Sequence, residues 1–210
     1  MQERLAGPMG LRLRHARTLT LSHAMNTDPH FEQLIAEGLS ASREGRTEDA
    51  LALFGEAGAV APASGIPQFL IASEQASAGN IEAAEAAFAN AVLLAPDFTL
   101  ARYQLGLLQF SSARAAVALI TWQPLFELPA ADPLHHFVRG FAALAQDHFE
   151  DALAHYRAGL ACDNGNPAVA ADVLKVVERV EQLRAPRPAD PAADTGGSHV
   201  LLAGYARSLH

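Results

Sequence analysis

Small and aromatic residues recur in this sequence at one constant interval, the spacing that separates Gly38 from Ala72. Small side chains occupy the first set of these positions, at Gly38, Ala72, Gly106 and Gly140. An alanine follows twelve residues after each of them, at Ala50, Ala84, Ala118 and Ala152. A large aromatic side chain follows four residues later, at Phe54, Phe88, Trp122 and Tyr156. A fixed period of this length predicts a solenoid of helical hairpins, in which each hairpin buries its apolar face against the next.

The composition suits four such units and leaves little room for anything else. The chain has 210 residues, of which 50% are hydrophobic. This is enough to bury a core, but too short to hold both four repeats and a separate catalytic domain. Because alanine, the strongest helix former, is abundant, we expect an all-α protein. Any function should therefore lie on the repeats or on the tails.

Each unit is predicted to contain two helices and a turn. Counted from Phe31, the units span residues 31–64, 65–98, 99–132 and 133–166. Gly45 and Gly79 mark the turn, since glycine suits the left-handed conformation that ends a helix. The repeated small residues should let two helix axes approach closely, and the aromatic side chains should fill the space between adjacent hairpins.

This pattern resembles the tetratricopeptide repeat, whose motif is a Trp, Leu-Gly, Tyr, Ala, Phe, Ala, Pro series over about 34 residues. The match covers residues 31–166, and Pro62 and Pro96 close the first two units. The resemblance implies antiparallel helix pairs stacked into a right-handed α-solenoid, with a concave face lined by the first helix of each pair. It also implies binding of peptides or protein segments, without chemistry.

The third and fourth units depart from the pattern. Ala113 replaces the turn glycine of the third unit, and Pro124 falls inside its second helix. Because proline removes a backbone donor and costs about 3 kcal/mol in a helix interior, we expect a kink or an early end near Trp122. In the fourth unit Asn164 stands where the closing proline would be. Residues 163–166 should form a turn and not a calcium loop, because the remaining ligands of such a loop are missing.

The segments outside the repeats have their own predicted states. Residues 1–30 should be a disordered or weakly ordered extension, and for residues 1–24 a mitochondrial-type presequence or an upstream start codon is the alternative. A capping helix is expected over residues 167–184, because Asn166 and Pro167 are typical of a helix start. Its apolar stripe consists of Val173, Val176, Val177, Val180 and Leu183. Residues 185–199 should be a flexible linker.

Charge, cysteine content and hydropathy exclude several classes of protein. The net charge is −8, and the first 24 residues hold four arginines and one acid, which leaves 11 basic and 22 acidic residues in the remainder. Such an acidic body argues against binding nucleic acid. The single cysteine, Cys162, excludes an internal disulfide, and its repeat position predicts a small core residue. The lone cysteine favours a reducing compartment, so we expect a cytoplasmic protein. No apolar run is long enough to span a membrane, so the protein is expected to be soluble.

Histidine is the only candidate reactive residue type that occurs in number. Four histidines fall in the fourth unit, at His135, His136, His148 and His155. His135 and His136 are adjacent and should point apart on a helix, and no His-Glu-x-x-His spacing occurs. We interpret these histidines as surface or partly packed residues, with a metal site or an acid–base role as the alternative. No catalytic residue, cofactor or metal ligand is predicted.

The resemblance also indicates which side chains line the concave groove. The predicted groove residues are Ile35, Leu39, Phe69, Ser73, Tyr103, Leu107, Phe110, Phe137 and Phe141. This surface lacks the lysines and asparagines with which some relatives clamp acidic chaperone tails. An apolar helix or an extended hydrophobic peptide is therefore the expected ligand. The alternative is that Phe69, Phe137 and Phe141 belong to the interhelical core.

Residues 200–210 form an apolar C-terminal peptide in the sequence. Its side chains Val200, Leu201, Leu202 and Tyr205 are predicted either to dock in the protein's own groove or to be a recognition peptide for another protein. The linker before it has a typical span of roughly 20 Å, which would let it reach the repeats. The alternative is a frayed, disordered end.

Three functions fit the sequence. The leading one is a non-enzymatic protein–protein interaction module, acting as an adaptor, scaffold or assembly factor. The second is an export chaperone for a hydrophobic secreted client, similar to the small acidic tetratricopeptide chaperones of type III secretion. The third is a small metal-dependent enzyme that uses the histidines of the fourth unit.

Overall fold

The computed structural model describes residues 28–162 and 166–184, and the regular elements within these ranges are helical. The α-helices are α1 (Pro29–Arg43), α2 (Thr47–Val60), α3 (Ile66–Ser77), α4 (Ile81–Leu94), α5 (Thr99–Ser111), α6 (Ala115–Thr121), α7 (Pro133–Leu144), α8 (Phe149–Leu160) and α9 (Pro167–Arg184). A 3-10 helix, Gln123–Glu127, follows α6. The predictions for residues 1–27, for the turn at 163–165 and for residues 185–210 lie outside the described residues.

The helices form consecutive hairpins, and the 3-10 helix and α5 contact α7. The pairs within hairpins are α1 with α2, α3 with α4, α5 with α6 and α7 with α8. Contacts of α2 with α3 and of α4 with α5 join one hairpin to the next, and α9 packs against α8. The all-α fold class is therefore confirmed. The right-handed sense of the superhelix and the number of repeats stay predictions.

In each of the four hairpins, the turn between the two helices contains one residue with the left-handed backbone conformation. The residues with positive φ are Gly45 (73°), Gly79 (78°), Ala113 (61°) and Asp147 (58°), and they follow the same constant interval as the repeats. In the first turn the Arg46 N–H donates to the Ala41 carbonyl at 2.9 Å. The Gly45 N–H donates to the Ser42 carbonyl at 3.0 Å, and the same two bonds recur in the other turns. They satisfy carbonyl groups that the end of a helix leaves without partners.

The repeated glycines and aromatic rings contact each other inside a hairpin. A Cβ atom on Gly38 would lie 2.4 Å from the Phe54 ring, and one on Gly106 would lie 2.2 Å from Nε1 of Trp122. Real Cβ atoms essentially never come closer than 3.0 Å to another heavy atom, so glycine is required for this approach. The predicted close packing of the two helices is confirmed. The rings also take part in contacts between adjacent hairpins, since the cluster that contains Phe54 packs against Leu70 and Ile71 of α3 and the Trp122 ring contacts Phe141 of α7.

The second helix of the third hairpin ends early, as predicted from its proline. α6 ends at Thr121, and the 3-10 helix that follows has Pro124 in its first turn. Proline has no N–H to donate to the preceding turn, and its ring would clash with the carbonyl four residues earlier in a continuing α-helix. Trp122 lies fully buried at the break, where its Nε1 donates a hydrogen bond of 3.0 Å to the Tyr103 carbonyl.

Helix α9 covers the end of the last hairpin. The side chain of Asn166 caps it by accepting a hydrogen bond of 2.9 Å from the Ala168 N–H. The inward valines, which belong to the same buried cluster as Tyr156, are Val169, Val173, Val176, Val177 and Val180. Charged residues such as Lys175 and Glu178 are exposed. An amphipathic helix with a polar outer face is what the open end of a repeat array needs.

The apolar core is concentrated toward the C-terminal end of the described chain. One large cluster of buried residues runs through α5, α6, α7, α8 and α9. The residues described in the first two hairpins contribute to smaller clusters. The two halves therefore differ in how much apolar surface they leave accessible, and this difference decides where a ligand could bind.

Candidate functional site

The predicted groove residues fall into a buried and an accessible group. Those at most 6% exposed are Tyr103, Leu107, Phe110, Phe137 and Phe141. Side chains buried to this degree cannot contact a ligand in this conformation. The prediction that these five line an open groove is therefore wrong, and the alternative that Phe137 and Phe141 belong to the interhelical core is correct.

These buried rings pack against Trp122 and against one another. The Trp122 ring lies at the end of α6, with its centroid 5.9 Å from that of Phe110 and 5.3 Å from that of Phe141. The Phe110 and Phe141 rings also contact each other directly, at 5.1 Å between centroids. Aromatic rings at these separations attract one another in addition to burying area. The facing sides of α5 and α7 are thus joined into one core.

The other four predicted groove residues keep part of their surface. They are Ile35 and Leu39 on α1 and Phe69 and Ser73 on α3, and we call them the α1/α3 surface. Leu39 is 37% exposed, and the other three are half-buried. The Phe69 ring rests against Phe98 at 4.9 Å and Phe88 at 5.7 Å between centroids. The apolar character predicted for the groove is therefore retained on the first helices of the first two hairpins.

Polar contacts hold α1 and α3 in position at this surface. The Ser42 hydroxyl on α1 donates a short hydrogen bond to the Glu74 carboxylate on α3. The Ser73 hydroxyl donates to the Phe69 carbonyl of its own helix at 2.9 Å, so it presents mainly an acceptor to a ligand. The pair of Ser42 and Glu74 was not predicted. The sequence carries no distinct signal for it, because both helices contain several other polar residues.

A polar network not foreseen from the sequence connects the second and third hairpins. Gln109 is buried, and its Nε2 donates to the Glu85 carboxylate at 3.2 Å. Its Oε1 accepts from the Thr121 hydroxyl at 2.7 Å. Arg114 forms an ion pair with the same carboxylate. The hydrogen bonds from Arg114 lower the pKa of Glu85, because they favour its charged form.

The histidines of the fourth hairpin form a cluster and do not point apart. The ring centroids of His135 and His136 lie 5.1 Å apart in an edge-to-face arrangement, which contradicts the prediction from their adjacency. The His155 ring on α8 lies 6.2 Å from that of His136. Burial lowers the pKa of His155, and the nearby His136 and Arg139 lower it further. These interactions are those of partly packed histidines.

The geometry gives no support to a metal centre within residues 28–162 and 166–184. No group of three or more His, Cys, Asp or Glu side chains is arranged there so that it could hold an ion. Cys162 is half-buried, with Sγ 3.5 Å from the Ala158 carbonyl oxygen. Its equivalent in the second hairpin, Leu94, is 36% exposed, so the prediction that this repeat position points inward is wrong there.

The arrangement of helices is similar to that in solved structures of MamA. MamA from Desulfovibrio magneticus RS-1, residues 41 to the end, matches with a TM-score of 0.53 at 16% sequence identity, covering 75% of this chain and 98% of that one. Another crystal structure of MamA matches with a TM-score of 0.52 at 19% identity, covering 63% and 78%. The tetratricopeptide-repeat domain of Sgt2 from Aspergillus fumigatus has a TM-score of 0.43 at 21% identity, covering 81% and 93%.

These similarities concern the fold. The chain has the tetratricopeptide-type fold, an α-solenoid of helix–turn–helix units. It matches no protein-family model and no curated protein at a significant level. In the part of the chain that the structure describes, no helix is long and apolar enough to cross a membrane.

Proposed function

We propose that this protein is a non-enzymatic protein–protein interaction module, acting as an adaptor, scaffold or assembly factor, that binds an apolar peptide or helix on the α1/α3 surface. The observation that carries the proposal is the partial exposure of Ile35, Leu39 and Phe69 on neighbouring first helices. An amphipathic helix or an extended apolar segment would bury these side chains by lying across both helices. The buried equivalents on α5 and α7 confine the proposed site to the first two hairpins.

The surroundings of this surface favour a particular kind of ligand. Phe69 is supported from behind by Phe88 and Phe98, so little ordering is needed when a ligand binds. Glu32 and Arg43 are exposed on the same side of α1 as Leu39, one at each end of the apolar contact. Charges of both signs beside the contact give no preference for a ligand of one charge. The expected ligand is therefore an apolar segment without a required net charge.

Affinity capture with the full chain tests the proposal. Leu39→Asp places a charge in the proposed contact, whereas Ala52→Asp places the same charge at an exposed position of α2, outside that contact. Burying an unpaired carboxylate is costly, so Leu39→Asp should lower recovery of the main partner by about tenfold or more. The Ala52→Asp chain should recover it as the wild type does.

Equal recovery by both variants, with unchanged circular dichroism, would place the partner elsewhere on the molecule and refute the α1/α3 surface. The identity of the captured partner separates the adaptor from the chaperone function, because both would use the same surface. A hydrophobic secreted client would identify the export-chaperone alternative. A partner that stays bound as part of a folded complex would identify the adaptor.

The C-terminal peptide, residues 200–210, is proposed to compete with that partner through Val200, Leu201, Leu202 and Tyr205. These residues lie outside the described part of the chain, and the proposal depends on their apolar sequence and on the length of the linker before them. Deletion of residues 186–210 should strengthen binding of the captured partner in calorimetry, because the internal competitor is removed. Unchanged affinity for the partner would show that the C-terminal peptide does not compete for the surface.

A further inference from the structure

One arginine holds the chain between α6 and α7 against α7. We call residues 122–132 the connecting segment, which contains the 3-10 helix and ends at Asp132, the N-cap of α7. Nη2 of Arg139 donates to the Phe126 carbonyl at 3.3 Å, and the guanidinium carbon lies 5.8 Å from the centroid of the Phe126 ring. A cation at this distance over an aromatic ring is attracted to it. Arg139 therefore binds both the backbone and the side chain of Phe126.

The guanidinium of Arg139 is also bound to a histidine one turn earlier on α7. Nε of Arg139 donates to Nε2 of His135 at 3.0 Å. A ring nitrogen accepts a hydrogen bond only when it carries no proton, so this contact requires neutral His135 with its proton on Nδ1. That Nδ1 is buried, and no described residue accepts from it. Since arginine is not deprotonated in proteins, His135 is the member of this pair whose charge changes with pH.

His136 contacts the same connecting segment in a different way. Its Nε2 lies 2.9 Å from the Ala130 carbonyl oxygen, and it carries a proton there because a carbonyl oxygen only accepts. A second proton would go to Nδ1, which is buried and has no partner among the described residues. The bond from Nε2 to Ala130 would survive that protonation. Of the two adjacent histidines, His135 is therefore the one whose hydrogen bond is lost in acid.

The surroundings of His135 contain charges of both signs, and Arg139 is the one bonded to it. The His136 ring centroid lies 5.1 Å from that of His135. On α8 the His155 ring lies 6.2 Å from that of His136, and Asp151 is an acidic residue that interacts with His155. The other charged side chains at the α7 N-cap and on the elements packed against α7 are Arg102, Glu127, Asp132, Glu150 and Arg157. A proton on Nε2 of His135 would face the Arg139 guanidinium at hydrogen-bonding distance, where like charges repel most strongly.

We propose that His135 and Arg139 form an acid-sensitive latch, which holds the connecting segment against α7 while His135 is neutral and releases it when His135 is protonated. The proton is taken from solvent by Nε2 of His135, which then no longer accepts from Arg139. The two cations repel each other, and Arg139 gives up its contacts with Phe126. The bond from His136 to Ala130 remains, so the release is confined to the 3-10 helix and its neighbours.

The latch lies at the joint between the third and fourth hairpins. Trp122 and Leu125 of the connecting segment are buried in the core that α5 and α7 share. Release of the segment therefore loosens the contact between these two hairpins. The α1/α3 surface lies in the first two hairpins, so the latch goes beyond the proposed function and does not depend on it.

Hydrogen exchange of the full chain at about pH 7.5 and about pH 5.5 tests the latch, because this range spans the protonation of histidine. The reporters are the Leu125 N–H, which donates to the Trp122 carbonyl at 2.7 Å, and the Leu128 N–H, which donates to the Leu125 carbonyl at 3.3 Å. Protection factors correct for the effect of pH on the intrinsic exchange rate. At the lower pH the protection of these amides should fall about tenfold in the wild type, the effect of losing one charge-assisted hydrogen bond. Protection in α1–α4 should change less.

A matched pair of variants separates the latch from a general effect of acid. His135→Gln supplies an oxygen acceptor that does not titrate, so Leu125 and Leu128 should keep their protection at both pH values. The control is His30→Gln, the same change at an exposed position of α1, which should lose protection as the wild type does. Circular dichroism of both variants should match that of the wild type.

Three results would overturn the proposal. The first is unchanged protection of Leu125 and Leu128 in the wild type at the lower pH. The second is an equal loss of protection in His135→Gln and in the wild type. The third is an equal loss in α1–α4, which would show that acid destabilises the whole chain and not this joint.

Discussion

The turn residues of the hairpins share one backbone conformation but differ in how well they suit it. Gly45 and Gly79 adopt positive φ without a side chain, whereas Ala113 and Asp147 carry a Cβ there. The left-handed region costs a residue with a Cβ about 1–2 kcal/mol, and aspartate tolerates it better than alanine does. The third turn is therefore the most strained of those described.

Replacing the strained alanine should stabilise the protein. Ala113→Gly is expected to raise the free energy of unfolding by about 1 kcal/mol, because it removes the backbone strain of the left-handed conformation. The gain is smaller than the full strain, because glycine has more conformational freedom than alanine in the unfolded chain. Asp147→Gly should raise the free energy of unfolding by less than Ala113→Gly does. Urea denaturation followed by circular dichroism measures both. Gly45→Ala is the reverse control and should lower the free energy of unfolding. No atom lies within 4 Å of the added Cβ, so the cost comes only from the positive φ of the backbone.

The close contact of glycine with an aromatic ring gives a second prediction. Gly106→Ala would place a Cβ 2.2 Å from Nε1 of the buried Trp122 and would disturb its hydrogen bond to the Tyr103 carbonyl. Overpacking of this kind should lower the free energy of unfolding by about 2 kcal/mol. Gly55→Ala in α2 meets no atom within 4 Å and should raise it by about 0.5–1 kcal/mol. Thermal unfolding of the two variants should therefore shift in opposite directions.

The histidine cluster predicts how stability depends on pH. The pKa of His155 is lowered from 6.5 in the folded state, so the unfolded chain binds the proton more readily. Stability should therefore fall as pH decreases through about 6.5. His155→Asn should reduce this slope in urea denaturation between pH 7.5 and pH 5.5. A slope insensitive to His155→Asn would contradict the prediction.

At the scale of elements, the hairpins could be predicted because their signals are local. Each unit repeats the same small and aromatic positions, so the helix pairs follow from the constant period alone. The early end of α6 follows from Pro124 for the same reason, since a proline acts on its own helix. Features of this kind need no knowledge of which helices meet.

The burial of the groove aromatics could not be predicted in the same way. Tyr103, Phe110 and Phe141 would line a groove only if α5 and α7 kept their facing sides apart. In the structure they do not, because Trp122 contacts the Phe110 ring of α5 and the Phe141 ring of α7. Such contacts depend on how one hairpin packs on the next, which the spacing of repeat positions does not specify. His135 and His136 illustrate the same limit, since adjacency did not determine where their rings lie.

The polar network between the second and third hairpins gives a prediction at this scale. Glu85→Ala should lower the free energy of unfolding by about 1–2 kcal/mol, because it leaves the buried Gln109 amide without an acceptor. Arg114→Ala should cost less than about 1 kcal/mol, since Arg114 is exposed and Gln109 keeps its acceptor on Glu85. Urea denaturation of both variants and of the double variant measures the costs. Equal costs for both single changes would contradict the importance of Gln109.

At the scale of the whole molecule, the two ends of the described array differ in accessibility. The C-terminal hairpins and α9 share one large core, in which the aromatic side chains Tyr103, Phe110, Phe137 and Phe141 are buried. The first two hairpins contribute to smaller clusters and leave Leu39 and its neighbours partly exposed. Apolar side chains on first helices are therefore accessible to a ligand at the N-terminal end of the described array.

Hydrogen exchange of the full chain, with and without the partner that it captures, tests this central claim most directly. The account predicts slower exchange on binding within residues 32–43 and 66–77, which belong to α1 and α3. It predicts no change within residues 103–110 and 137–141, whose aromatic side chains are already buried. Protection confined to α5 and α7, with none in α1 and α3, would contradict it.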